Sequence, residues 1–249
     1  MKKTVLFIAL IALALASCSK LEQNEKKFLK GLTSEDYEES VKAFNEFCSW
    51  LEHDKSTITH PFNLMREKMD MTIATSGDGN LRIYSWPSGG TDSVTIYANV
   101  SQWKVGENFV GYHGPIDKLL AGRSADVKKK GSATHRIDTI IDIQLPDKTV
   151  YLISQSYVNT RGMRRAYVSA SYIEGVVLRL LPFFFDGVEI AGNNEFNDQA
   201  NTPISTLFKW DEKAKRFYAY QTDDNNNLIP GKYTVYELGN NQFTRLPNE

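Results

Sequence analysis

The 249-residue sequence predicts a mainly β fold, an antiparallel meander closed as a sandwich or a barrel. From Met69 onwards, apolar and polar residues alternate with a period of two, which is typical of strands that bury one face. Turn-forming residues recur every eight to twelve positions, and no long helical pattern separates the strands. A small propeller is the architectural alternative, because strand-turn-strand units at this density also build blades.

One helix is predicted before the strands, at about 34–52. Thr33 or Ser34 can cap its N-terminus, and its first turn is rich in carboxylates, which the positive end of the helix dipole favours. Apolar residues then follow at spacings of three and four on one stripe: Tyr37, Val41, Phe44, Cys48 and Leu51. Cys48 lies far from the helix N-terminus that would activate a thiol, so we expect it to be buried and inert.

The clearest hairpin signal lies between residues 69 and 86. Turn residues 76–80 (SGDGN) join an alternating strand to the return strand Leu81–Trp86. If the odd-numbered residues of the return strand face the core, Arg82, Tyr84 and Trp86 line the opposite face. Tyr97 of the following strand joins them if its apolar neighbours also point inward.

Arg82, Tyr84, Trp86 and Tyr97 therefore form the candidate binding face. Planar rings with a polar edge suit a glycan or a protein partner when they lie on an exposed sheet face. In the alternative, a second sheet or the 34–52 helix covers this face, and the rings belong to the core.

Residues 1–18 carry the firmest functional signal. Lys2-Lys3 precedes an apolar run of twelve residues, Val5–Ala16, which has the length of a signal-peptide core and is too short to span a bilayer. The run leads into Leu15-Ala16-Ser17-Cys18, which resembles the lipobox of bacterial lipoproteins. The resemblance implies that Cys18 carries acyl chains such as palmitate, and two or more acyl chains anchor a protein stably.

The same resemblance divides the chain into a signal peptide at 1–17, a lipidated tether at 18–33 and a single β-rich domain at 34–249. The tether is mostly charged or polar, with some helical tendency. Ser19 rather than Asp follows Cys18, which is similar to the outer-membrane sorting pattern of well-studied Gram-negative bacteria. We therefore expect a cell-envelope lipoprotein of the outer membrane, whose first partner is the membrane itself.

Residues 78–86 (DGNLRIYSW), which precede a Gly89-Gly90 turn, resemble a segment of uncharacterised lipoproteins from Gram-negative gut anaerobes. The resemblance covers about residues 60–100. It implies a lineage but no activity, so no functional residue carries over from it.

Two tripeptides match the Asp-Ser/Thr-apolar pattern of O-glycosylation known in exported proteins of some gut anaerobes. They are residues 92–94 (DSV) and residues 138–140 (DTI). Ser93, at the edge of a turn, and Thr139, within a predicted strand, are therefore candidate glycosylation sites.

No sequence motif for a metal, a nucleotide or a catalytic nucleophile occurs. The histidines are dispersed, and none has Cys, Asp or Glu at metal-ligand spacing: His53, His60, His113 and His135. We therefore expect neither a metal nor another cofactor. Removal of residues 1–17 leaves 27 basic against 30 acidic side chains, a balance that argues against a nucleic-acid partner.

These observations favour a binding or scaffolding module for a glycan or an envelope protein over an enzyme. The alternative is an envelope hydrolase that acts on glycans, which needs two carboxylates facing each other across a cleft. The carboxylates near the end of the predicted sheet are its candidates: Asp186, Glu189, Glu195 and Asp198.

Overall fold

The computed structural model describes residues 20–91, 94–106, 108–113, 135–158, 163–181, 183, 190–197, 202–239 and 241–247. In these residues the chain is mainly β, as predicted, and a layer of helices precedes the strands. All strand pairs are antiparallel.

The predicted helix is confirmed as α2, Tyr37–His53, and its N-cap is Asp36 rather than Thr33 or Ser34. The Asp36 carboxylate accepts the Glu39 N–H at 2.9 Å, which satisfies one of the free donors of the first turn. The Ser34 hydroxyl instead donates to the Glu39 side chain at 2.6 Å. The remaining helical segments are α1 at 20–32, a 3-10 helix Lys55–Ile58, α3 Asn63–Met69 and α4 Ile204–Leu207.

Helix α1 occupies most of the stretch that its polar composition assigned to a tether. Phe28 and Leu32 are buried in a hydrophobic cluster that α1 shares with α2, α3 and strand residues such as Tyr84 and Trp86, which we call the first cluster. Helix α1 therefore packs as part of the folded domain. Gly31 permits a close approach to α2, because a Cβ on it would lie 2.4 Å from the Ala43 Cβ. The packed structure thus begins before residue 34. The packing of α1 depends on residues distant in the chain, because the rings that cover Phe28 lie in α2.

The strands form three open sheets, each built mainly from strands that follow one another in the chain. Sheet 1 contains β1 Thr72–Thr75, β2 Leu81–Thr91, β3 Val94–Val105 and β4 Asn108–His113. Sheet 2 contains β5 Arg136–Gln144, β6 Thr149–Val158, β7 Met163–Glu174, β8 Val177–Leu181 and β9 Ile190–Asn197, with β8 and β9 both on β7. Sheet 3 contains β10 Phe208–Asp211, β11 Arg216–Thr222, β12 Leu228–Leu238 and β13 Phe243–Arg245.

Three hydrophobic clusters connect the elements in the order helices, sheet 1, sheet 2, sheet 3. One face of sheet 1 joins the helices in the first cluster, while Leu81 and Ile83 on its other face pack against sheet 2. The far face of sheet 2, with Leu152 and Val168, shares one hydrophobic cluster with Phe217 of sheet 3. Among the described residues no sheet closes on itself, so the stack corresponds to the sandwich alternative, with three layers of sheet.

Candidate functional site

The predicted aromatic face of β2 is buried beneath α2. Arg82 is 5% exposed, Trp86 1% and Tyr84 0%. The Phe47 ring of α2 meets both aromatic rings edge-on, with each centroid 6.0 Å away. The expectation of an exposed face is therefore not met, and the alternative, in which the helix covers the rings, describes this part of the protein.

Tyr97 lies on the other face of sheet 1 from Tyr84 and Trp86. Tyr84 pairs with Val100 and Trp86 with Ala98, and directly paired residues share a face. Val100 and Ala98 therefore point towards the helices, and Tyr97 points towards sheet 2. Tyr97 is half-buried there, and burial raises its pKa. The four candidate residues are therefore not brought together.

Arg82 fixes the chain between α2 and α3. Its guanidinium donates to the carbonyl oxygen of Thr57 at 2.9 Å, to that of His60 at 2.6 Å and to that of Ile58. The same group lies over the Tyr84 ring, 5.1 Å from its centroid. A buried cation on three carbonyl oxygens stabilises a loop, and none of these contacts leaves a face for a ligand.

Asp78, at the start of the DGNLRIYSW segment, connects sheet 1 to sheet 2. Its carboxylate accepts the Ser76 hydroxyl at 2.6 Å, the Asn80 N–H at 2.9 Å and the Tyr151 hydroxyl at 3.0 Å. Burial alone would raise the pKa of Asp78, but these hydrogen bonds outweigh it and the pKa is lowered. The residues of this segment therefore have structural contacts: Asp78 stabilises the turn, Arg82 holds the loop after α2, and Tyr84 and Trp86 are core.

The remaining sequence candidates are placed only in part. Cys18 and Ser93 lie outside the described residues, as do the side chains of the four hydrolase carboxylates. Thr139 is half-buried within β5, where it pairs with Ser154 of β6.

Among the described residues, the outer face of sheet 3 carries partly exposed aromatic side chains. Phe208, Phe217 and Phe243 point inward and are buried, whereas Tyr218 and its directly paired neighbour Val235 lie on the opposite face. Those residues line an open groove of about 470 Å³. Its lining consists of Arg216, Tyr218, Gln221, Gly231, Lys232, Tyr233, Val235, Leu246 and Pro247.

Two tyrosine rings form the apolar part of this groove, which we call the Tyr218–Tyr233 groove. Their centroids are 5.9 Å apart and their planes are nearly perpendicular, at 84°. The Tyr233 hydroxyl donates to the Thr206 carbonyl oxygen at 3.1 Å, and Lys209 Nζ lies 4.4 Å from the Tyr233 centroid. These contacts fix the Tyr233 ring in place while leaving it half-exposed.

Beside the rings, the polar side chains of the lining are those of Arg216, Gln221 and Lys232. The Arg216 guanidinium is held by Glu237 at 3.1 Å. The lining contains no Asp, Glu, His, Ser or Cys. Amphipathic rings beside a few polar groups suit recognition of a sugar ring, and the lining supplies neither a nucleophile nor a carboxylate pair.

Two clusters of charged side chains were not predicted from the sequence, because Glu25 and Asp138 each contact a residue on a different element of the fold. Glu25 of α1 contacts His60 at 3.0 Å beside a pocket of about 280 Å³. In sheet 2, Asp138 accepts from the Ser156 hydroxyl at 2.6 Å and pairs with Arg136 at 2.8 Å. The Asp138 charge raises the pKa of Arg136 against the opposing effect of burial.

The described residues contain no group of three or more His, Cys, Asp or Glu side chains able to hold a metal ion. In the same residues, no helix combines the length and the apolar character needed to cross a bilayer. No family model, curated protein or solved structure matches the chain.

Proposed function

We propose that the protein is a lipid-anchored binding module of the outer membrane, and that its Tyr218–Tyr233 groove binds a glycan. The lipobox resemblance at Cys18 supports the anchor. The half-exposed pair of tyrosine rings on the outer face of sheet 3 is the observation that carries the binding role. Because the lining residues include no carboxylate, the groove supports recognition better than hydrolysis.

The anchor is tested by replacing Cys18 with Ala in the native host. Wild-type protein is expected to incorporate radiolabelled palmitate and to sediment with outer-membrane fractions. The Cys18→Ala variant is expected to lose the label and to leave those fractions. Wild-type protein that incorporates no palmitate, or a Cys18→Ala variant that keeps the label, would refute a lipid anchor at Cys18.

The groove is tested by affinity electrophoresis in gels that contain neutral or acidic polysaccharides. Wild-type protein is expected to be retarded by at least one polysaccharide, and the Tyr218→Ala/Tyr233→Ala variant is expected to run freely. Tyr37→Ala is the matched control, because Tyr37 is a 48% exposed tyrosine on α2, at the other end of the stack. Equal retardation of the double variant and of wild type, with equal melting temperatures, would exclude the groove as the binding site.

A further inference from the structure

Helix α1 exposes a face rich in lysine. Its buried side faces the core through Glu25, Phe28 and Leu32. The exposed positions recur at helical spacing on the opposite side, and we call four of them the lysine face: Lys20, Lys26, Lys27 and Lys30. The uncharged Gln23 lies among them, and Glu22 is the exposed carboxylate of this helix.

The lysine face begins next to the residue that the lipobox assigns to the membrane. Lys20 follows Cys18 by two residues, which span at most about 7 Å even when fully extended. That distance is shorter than the Debye length of about 8 Å at physiological salt. The positive charge of α1 therefore starts inside the electrostatic reach of the bilayer surface.

We propose that the lysine face lies on the bilayer and binds the headgroups of anionic phospholipids, a proposal that rests on the lipidation of Cys18 given as part of the proposed function. Cations beside a lipid anchor act as a second membrane signal, worth roughly a fivefold gain in partitioning for each lysine near an anionic surface. Lys27 donates to Glu46 at 2.6 Å, so Lys20, Lys26 and Lys30 carry most of the effect.

Helix α1 is packed firmly enough to transmit its orientation to the domain. The Phe28 ring stacks on Trp50 of α2 with centroids 5.2 Å apart, and Gly31 lies against Ala43. The Glu25 carboxylate also accepts the Met65 N–H at 2.9 Å. A membrane contact of the lysine face thus fixes the whole stack rather than a loose terminus.

The order of the layers then sets the direction of the Tyr218–Tyr233 groove. The helices and the outer face of sheet 3 are the two ends of the stack. Sheets 1 and 2 lie between the helices and sheet 3 in the order of contacts, so sheet 3 is the sheet farthest from the bilayer. With α1 on the membrane, the groove faces away from it, where a soluble or distant glycan can enter.

The proposal is tested on the lipidated mature protein in vesicles. A bimane label is attached at Gln23→Cys on α1 or, for comparison, at Asn225→Cys in the exposed hairpin loop of sheet 3. Buried Cys48 does not compete for the label. The vesicles contain phosphatidylcholine alone or with about 30% phosphatidylglycerol, and a headgroup spin label quenches bimane that lies near the surface.

We expect at least twofold stronger quenching at position 23 than at position 225 in the anionic vesicles. The difference should shrink in 1 M NaCl, where the Debye length is about 3 Å, and in phosphatidylcholine alone. Lys20→Glu/Lys26→Glu/Lys30→Glu should abolish it, whereas Lys104→Glu/Lys148→Glu/Lys213→Glu, the same charge change away from α1 and from the Tyr218–Tyr233 groove, should preserve it. If the charge-reversed chain folds poorly, the neutral Lys20→Gln/Lys26→Gln/Lys30→Gln variant replaces it, and the difference in quenching between positions 23 and 225 should then be intermediate.

Flotation of the same samples separates the two proposals. Protein that floats with the vesicles but shows equal quenching at both positions, or quenching unaffected by the charge-reversed variant of α1, overturns the lysine face and leaves the anchor intact. Protein that does not float refutes the anchor and the lysine face together. Glycan binding by the groove is measured independently of both results.

Discussion

Glu25 of α1 lies 3.0 Å from Nε2 of His60, although the two residues are 35 positions apart in the chain. Their side chains are 4% and 9% exposed. The second oxygen of the Glu25 carboxylate accepts the Met65 N–H at 2.9 Å. One carboxylate therefore joins α1 to the loop and to the helix that follow α2.

Glu25→Ala is expected to destabilise the protein by about 3 kcal/mol, because it leaves the Met65 N–H and the His60 ring without a buried partner. Glu25→Gln should cost less, since its amide oxygen can still accept the Met65 N–H. Urea denaturation followed by far-UV circular dichroism measures both values. Glu22→Ala is the control, because Glu22 is exposed on the same helix, and it should stay within about 0.5 kcal/mol of wild type. A Glu25→Ala loss no larger than that of the control would contradict the role of this contact.

Arg82→Lys is expected to cost about 2 kcal/mol. The lysine ammonium lacks the planar fork with which the guanidinium reaches three carbonyl oxygens at once, so at least one buried carbonyl is left without a donor. Thermal unfolding monitored by tryptophan fluorescence provides the measurement. Arg179→Lys makes the same replacement at an exposed position that pairs with Glu174, and it should be nearly neutral. Equal effects at the two positions would show that the Arg82 contacts contribute little.

Local pattern was sufficient to predict the mainly β class, the helix α2 and the grouping of Arg82 with Tyr84 and Trp86 on one face of β2. Alternation with a period of two divides a strand into two faces, but it does not say which of them meets solvent. In sheet 1 both faces are covered. The rings of Tyr84 and Trp86, on the face opposite Leu81, therefore belong to the core. Ala98 and Val100 point to the helices with them, so Tyr97 lies on the other face.

The packing of α1 and the Tyr218–Tyr233 groove depend on contacts between distant residues. The amphipathic spacing of Phe28 and Leu32 was present in the sequence, but the residues that cover Phe28 and pair with Glu25 lie beyond residue 46. In β11 the alternation of Phe217 and Ala219 with Tyr218 did signal an outward tyrosine. Only the contacts between the described elements show that sheet 3 lies at the opposite end of the stack from the helices.

Acid is expected to destabilise the fold through His135. The ring packs between Tyr157 and Tyr167, with centroids 4.7 and 4.8 Å away. Burial, and secondly the charge of Arg165, lowers the pKa of His135 to about 4 from an ordinary value of 6.5. The unfolded chain therefore takes up a proton that the folded chain refuses, and stability is lost as the pH falls from about 6.5 towards 4.

The loss should reach about 1–2 kcal/mol after allowance for solvent screening of a partly exposed ring. It is measured by urea denaturation at half-unit steps from pH 7 to pH 4. His135→Gln should flatten the curve over this range, whereas His53→Gln, at an exposed histidine of α2, should leave it unchanged. A His135→Gln curve parallel to that of wild type would assign the acid sensitivity to other groups.

Cys48 is expected to resist thiol reagents for as long as the protein is folded. Burial, with a smaller contribution from the nearby Glu52 charge, raises the pKa of Cys48 to about 12. The thiolate is the reactive form, so native protein at pH 8 should show almost no reaction with an aromatic disulfide reagent, and protein in urea should react with one thiol beyond the acylated Cys18. Because the folded pKa is raised, this group contributes stability that is present below the unfolded value of about 8.5 and is lost as the pH rises from there towards 12.

Cys48→Ala should remove that alkaline loss while leaving the stability near pH 7 within about 1 kcal/mol of wild type, a cost set by the small cavity. Rapid labelling of the native protein, at a rate independent of urea, would show that the α2 stripe does not shield this thiol.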